Sequence, residues 1–206
     1  MMGLTADQLK ASVDALIAIE PRFGDAVGRV GYPEPRIRSR GYETLLRTII
    51  GQQVSVKAAA SIWNKLEAGL GDLTKPTTVL GSNEEELRSF GLSRQKQCYV
   101  LSLARLVEDG DLDLHNLPED DDDAIALMTK VKGIGRWSAE IYLLFAEGRA
   151  DIWPAGDLAV QIEIGRILGL NERPSEKLVR QLAEAWRPHR GAAAIMAWHH
   201  YNTDTI

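Results

Sequence analysis

Val131-Lys132-Gly133-Ile134-Gly135-Arg136-Trp137-Ser138-Ala139 sets two glycines around one aliphatic residue, between two stretches of helical periodicity. Glycine lets the backbone turn through conformations closed to residues that carry a side chain, and Ile134 can tuck between the helices so joined. The amides of Gly133 and Gly135 then stand at a helix start. There the positive end of the macrodipole and the absence of shielding side chains make a phosphate site. A tight helix–helix turn explains the glycines equally well, so the segment alone leaves both alternatives open.

On either side of the turn, Asp122 to Val131 and Arg136 to Glu147 read as helices, and the same periodicity runs through almost the whole chain. Thr5 is an N-cap ahead of Leu9, Val13, Leu16 and Ile17; Pro21 interrupts, and Gly31, Pro33 and Pro35 mark a connector. Tyr42, Leu45, Leu46, Ile49 and Ile50 form the next stripe. Gly51-Gln52-Gln53 is a polar break before Ala58, Ile62, Leu66 and Leu70. Further helices are expected over Glu84 to Phe90, Ser93 to about Val107, Asp157 to Leu168, Ser175 to Trp186 and Arg190 to about Trp198. No segment alternates convincingly with the period of a strand, and no repeat of about 20–50 residues is present. The fold class is therefore all-α, roughly ten helices with short connections.

The 206 residues, 45% hydrophobic and 26% charged, suffice for one domain or a compact pair of lobes around a real core. The single cysteine, Cys98, excludes an internal disulfide and an iron–sulfur cluster held by four thiolates, and argues against a cysteine-based zinc site. No apolar run approaches the ~20 residues that span a bilayer, and Met1 to Lys10 lack the pattern of a signal peptide, so the cytoplasm is the expected location. The net charge of −5 speaks at first against a polyanionic partner. Yet nine acidic residues (Glu108, Asp109, Asp111, Asp113, Glu119 and Asp120 to Asp123) lie together with no lysine or arginine among them, which leaves the remainder at +4. Nucleic acid is thus not excluded. The acidic run reads as a solvated loop, with a metal-binding loop as the alternative; it lacks the spacing of an EF-hand.

Further segments fall in order around the hairpin. Downstream, Trp153-Pro154-Ala155-Gly156-Asp157-Leu158 puts Asp157 twenty residues after Trp137. Taken alone, an aspartate before an apolar helix is an N-cap. Upstream lie Tyr42-Glu43-Thr44-Leu45-Leu46-Arg47-Thr48-Ile49-Ile50-Gly51-Gln52-Gln53-Val54-Ser55-Val56-Lys57-Ala58-Ala59 and Phe90-Gly91-Leu92-Ser93-Arg94-Gln95-Lys96; Trp186-Arg187-Pro188 and Trp198 follow near the end. Across residues 42 to 198 this order resembles the helix-hairpin-helix (HhH-GPD) DNA glycosylase superfamily. Within it, the match is to the 3-methyladenine DNA glycosylase II (AlkA-like) branch, in a compact form without the β-rich N-terminal domain of longer members.

The resemblance implies a single catalytic core over 1–206 with an active-site cleft between two lobes, 32–150 ending in the hairpin and 1–31 plus 151–206. It also implies a monofunctional enzyme that turns alkylated purines of the 3-methyladenine and 7-methylguanine type out of double-stranded DNA and hydrolyses the N-glycosidic bond in base excision repair. Asp157 takes the catalytic position, Gln53 that of the wedge filling the vacated stack, and Trp137, Trp198 and Gln52 those of the base pocket. Gly133, Gly135, Lys132 and Arg136 take the phosphate contacts, and the carbonyls of Thr129, Val131 and Ile134 those that hold a monovalent cation, Na+ or K+. No cofactor is implied for the chemistry, and a monomer is expected.

The chemistry suits these residue types. Cleavage passes through an oxocarbenium-like state that an anionic carboxylate stabilises, and the same group can orient water. A methylated purine is already cationic, so an aromatic pocket holds it by stacking and cation–π attraction of roughly 0.5–2 kcal/mol per contact. Three alternatives stay open at the level of residues: the glutamine pair caps the following helix, Trp198 packs in the core, and Asp157 only caps. Leu158 and Ile141 stand where some members carry aromatics, which narrows the expected range of bases; Tyr142 is expected to face elsewhere and Asp151 to face solvent. Rival functions are a non-catalytic DNA-binding hairpin module and a bifunctional glycosylase/lyase for oxidised bases. The resemblance implies that bifunctional members carry their Schiff-base lysine where this chain has Trp137, which has no nucleophilic amine.

Overall fold

A computed structural model describes residues 4–203, and among them every regular element is helical. Twelve α-helices appear where roughly ten were expected: α1 (Ala6–Ile19), α2 (Arg22–Val30), α3 (Tyr42–Gly51), α4 (Val56–Leu70), α5 (Pro76–Leu80), α6 (Glu84–Ser89), α7 (Arg94–Glu108), α8 (Asp121–Met128), α9 (Arg136–Tyr142), α10 (Leu158–Ile167), α11 (Glu176–Ala183) and α12 (Arg190–Thr203). The two additions have local causes. Pro21, expected to interrupt, takes the N-cap position of α2, whose Phe23 and Ala26 point into the core one turn apart. The five residues of α5 are too few to show a period, and Pro76 opens them.

Helix starts are set by side chains. Thr5 and Asn83 form reciprocal capping boxes with Gln8 and Glu86, and Ser55, Ser93, Asp120, Asp157 and Ser175 each accept a backbone N–H from the first turn. Each such cap stabilises its helix by about 1 kcal/mol. The acidic run passes into helix at its end, within one residue of the expected start at Asp122: Asp120 caps α8 and Asp121, Asp122 and Asp123 occupy its first turn, where the macrodipole favours negative charge.

The chain forms two compact units, one of Ser39–Ala139 and the other of Met1–Arg38 with Glu140–Ile206. These bounds fall inside the expected 32–150 segment. Arg38 N–H donates to the Phe145 carbonyl at 2.9 Å, which binds the connector to the second unit, and Leu143 to Ala146 are buried. In the Ser39–Ala139 unit, α7 packs on α3, α5 and α6, and the Arg47 guanidinium lies 3.5 Å over the Trp63 ring, joining α3 to α4. In the other unit α12 packs on α1, α2 and α10, with Gly191, Ala192, Ala193, Ala194 and Ala197 buried along it. A side chain at Gly191 would meet the Ala150 carbonyl at 2.6 Å. Trp186 is the hub of this core, edge-on to Phe23 at 5.2 Å and to Trp153 at 5.6 Å. Directly after α9 the chain widens into a π-helical turn over Leu143–Glu147.

Candidate nucleic-acid interface and active site

In the Ser39–Ala139 unit the hairpin is a real turn with a real requirement for glycine. Gly133 has φ +84°, and a Cβ there would lie 2.2 Å from the Tyr99 ring. The reason for the glycine is thus internal: the residue admits the ring of an α7 tyrosine. Ile134, between the two glycines, is buried, and its N–H donates to the Val131 carbonyl at 3.0 Å. The Lys132 N–H donates to Ser102 Oγ at 3.1 Å, while the Lys132 side chain is exposed. Arg136 pairs with Asp122 at 2.7 Å, so the acidic start of α8 reaches one of the expected phosphate-binding residues.

Trp137 is 47% exposed, by far the most accessible of the tryptophans, on the first turn of α9. Trp63, Trp153 and Trp186 are buried in the cores instead. The glutamine pair does not cap α4, because Ser55 does so. Gln52 turns back instead: its Nε2 donates one N–H to the Gly133 carbonyl at 2.8 Å, which ties the turn to the hairpin. Gln53 is exposed at the tip of the turn with φ +56°, the one non-glycine residue with a positive φ among the described residues.

The other unit carries Asp157 and Trp198. Asp157 is half-buried at the start of α10; its Oδ1 accepts the Val160 N–H at 3.0 Å, and its own N–H donates to the Pro154 carbonyl at 2.9 Å. Capping and catalysis are compatible, since a carboxylate offers about four lone-pair sites and the cap takes one. Gln161 Nε2 donates to the Ala155 carbonyl at 2.8 Å, closing the turn from the helix side. The loop's other acid, expected to face solvent, does not. Asp151 is clamped by Arg187 Nη1 at 2.6 Å and by Arg190 Nε and Nη2 at 2.9 and 2.8 Å, a network in which Glu184 joins both arginines. Ion pairing needs side chains from distant positions in sequence, and nothing in the loop itself announced Arg187 and Arg190. Trp198 lies half-buried at the edge of the core with its ring 5.7 Å from Phe145. Leu158 is exposed, whereas Ile141 and Tyr142 are buried. Glu163 and His200, not singled out in the sequence, form a fully buried pair at 2.6 Å that ties α10 to α12.

Comparison with known proteins places these features in one lineage. The model of the HhH-GPD superfamily of base excision DNA repair proteins matches residues 46–188, a span that contains the glutamine turn, the hairpin and Asp157. The chain belongs to that superfamily. Trp198 lies beyond the matched span. DNA-3-methyladenine glycosylase 1 of Schizosaccharomyces pombe is 30% identical over 161 residues, 76% of this chain and 71% of that protein. A putative DNA-3-methyladenine glycosylase of Bacillus subtilis is 26% identical over 165 residues, and the chain spans 58% of its length. Among solved structures, a DNA-3-methyladenine glycosidase of Bacillus halodurans superposes with a TM-score of 0.85 at 29% identity, covering 94% of this chain and 90% of that one. The S. pombe 3-methyladenine DNA glycosylase in complex with abasic DNA gives 0.76 at 26% identity, over 95% and 97%. The family's fold is all-α, as the sequence indicated. Among the described residues no helix is long and apolar enough to cross a membrane.

Proposed function

We propose that this protein is a monofunctional DNA glycosylase that binds double-stranded DNA, turns out alkylated purines and hydrolyses their N-glycosidic bond. The carrying observation is the combination, within one family match, of a half-buried carboxylate, Asp157, with an exposed tryptophan, Trp137, at the position where a lyase needs an amine. Relatives named as 3-methyladenine glycosylases support the substrate class.

The hairpin and Lys132 hold the backbone phosphates, and Gln53 fills the place of the extruded nucleotide. Arg136 adds a further phosphate contact once it exchanges Asp122 for DNA. The Trp137 face receives the base, whose positive charge already weakens the bond to C1′, so no strong acid is required. As the bond breaks, its electron pair leaves with the base, which departs neutral, and Asp157 faces the positive charge that develops on the sugar. Water adds to C1′ and loses its proton to Asp157 or to solvent, giving free base and an abasic strand. The carbonyls of Thr129, Val131 and Ile134 are hard, neutral oxygen donors of the kind that suit Na+ or K+, and the Val131 oxygen keeps a second lone pair beside its bond from Ile134. A cation there would neutralise phosphate charge. The protein acts as a monomer on DNA in the cytoplasm.

Chromatography of bases released from methylated DNA tests the reading: the wild type should release 3-methyladenine or 7-methylguanine and leave the strand unbroken, without a borohydride-trapped adduct. A trapped adduct lost on mutating one lysine would replace hydrolysis by lyase chemistry, and DNA binding with no base release would leave a binding module.

A further inference from the structure

One face of α7 holds both the glutamine turn and the hairpin. Lys96, Tyr99 and Ser102 recur at every third position along it. Lys96 Nζ donates to the Ile50 carbonyl in the last turn of α3 at 2.6 Å, the Tyr99 ring rests against Gly133, and Ser102 Oγ accepts the Lys132 N–H. Gln52 closes the arrangement directly, turn to hairpin, through its bond to the Gly133 carbonyl. The peptide between Gly133 and Ile134 is thereby held at both ends, its oxygen by Gln52 and its N–H by Val131. The residue next to Gln52 is Gln53, fixed at a positive φ that a glutamine seldom adopts.

We propose that Gln52 is a positioning residue: its amide is a strut that fixes the wedge, Gln53, against the hairpin peptide, so that insertion into the stack and the grip on the phosphates occur as one event. The inference deepens the glycosylase reading and rests on it. It assigns Gln52 to the wedge and not to the base. Lys96 supplies the second tie, through the end of α3. Its partial burial lowers the pKa of the ammonium while the carbonyl it meets occupies one of its donors.

The test compares wild type, Gln52→Met, Lys96→Met, Gln53→Ala and the Gln52→Met/Gln53→Ala double variant on a duplex carrying a stable abasic-site analogue and on the same duplex undamaged. Gln52→Met keeps the length of the side chain and removes its donor. It should reduce the preference for the abasic duplex about fivefold, the effect of one net hydrogen bond. Adding Gln53→Ala to it should cost less than about twofold more, because a wedge without its strut no longer contributes independently. Lys96→Met should reduce the preference in the same direction. In the free protein the Ile134 amide should exchange faster in Gln52→Met. A merely structural Gln52 would lower the melting temperature and leave the preference intact. An unchanged preference in Gln52→Met and Lys96→Met, or additive effects of Gln52→Met and Gln53→Ala, overturns the strut while wild-type preference upholds the glycosylase reading. A wild type that does not prefer the abasic duplex overturns that reading, and the strut with it.

Discussion

The hairpin at Gly133 and the loop at Asp157 are both short connections that deliver the chain into a helix, and they are built on opposite principles. The hairpin is held by neutral bonds to its backbone, from Gln52 and to Ser102, and by a tyrosine ring lying where a Cβ would be. The Asp157 loop has no residue at positive φ between Arg149 and Asp157; apolar burial of Ile152, Trp153 and Ala155 anchors it, together with the two arginines on Asp151. A turn that presents backbone amides must keep side chains away, whereas one that presents a carboxylate must be kept from moving. The hairpin should therefore fail by steric insertion and the loop by loss of charge.

The sharpest contrast is expected at the carboxylate itself. Asp157→Asn keeps a residue that caps as well as aspartate, so the melting temperature should change little, yet release of methylated bases in single turnover should fall by about 100-fold or more. A mutant within several-fold of wild type would remove Asp157 from the chemistry. Gly133→Ala should act through the fold. The positive φ costs about 1–2 kcal/mol and the contact with Tyr99 about 1–3 kcal/mol more, both visible in urea unfolding. DNA affinity should fall with it.

Asp151→Asn should cost about 1–3 kcal/mol, since it removes the charge that the largely buried Arg190 guanidinium shares with the exposed Arg187. Acid should act on the Arg187 end of this network. Arg187, hydrogen-bonded to Glu184, holds that carboxyl below the ordinary glutamate range of about 4.3. A depressed folded pKa gives stabilisation that is complete above the unfolded value and is lost as pH falls through the folded one. Hydrogen exchange taken from pH 7 downward should therefore loosen the amides around Glu184 before the Ile134 amide, whose ties carry no carboxylate. The smallest effect belongs to Asp122→Asn. The pair with Arg136 is exposed, so stability should stay within about 0.5 kcal/mol, while DNA affinity should rise about twofold at low salt and converge with wild type as salt increases.

Those ties also mark how far sequence could reach. Periodicity and caps gave the long helices, because Leu9, Val13 and Leu16, or Leu45 and Ile49, repeat on one face within a few residues. The start of α2 hid behind a proline that serves as a cap, and α5 is shorter than any detectable period. At the site, Gly133, Trp137 and Asp157 stood in recognisable local patterns. Their supports did not: Tyr99 lies 34 residues from Gly133 and Arg190 lies 39 from Asp151, and such partners are fixed by helix packing, which a linear pattern does not encode. Gln52 was visible as part of a polar break, but the direction of its side chain was decided by the hairpin across from it, 81 positions further on.

Gln53 carries a consequence measured in time. A non-glycine residue held at φ +56° costs the free protein about 1–3 kcal/mol, and that cost is met once, at folding. On the proposed reading of Gln53 as the wedge, a tip already shaped before it meets a base pair has less conformation to search for, so each encounter along intact DNA can be brief. On that reading thoroughness of inspection and speed of travel stop competing: the protein leaves a sound base pair as quickly as its salt-sensitive contacts with the backbone release it, and lingers only where a weakened pair lets the tip in.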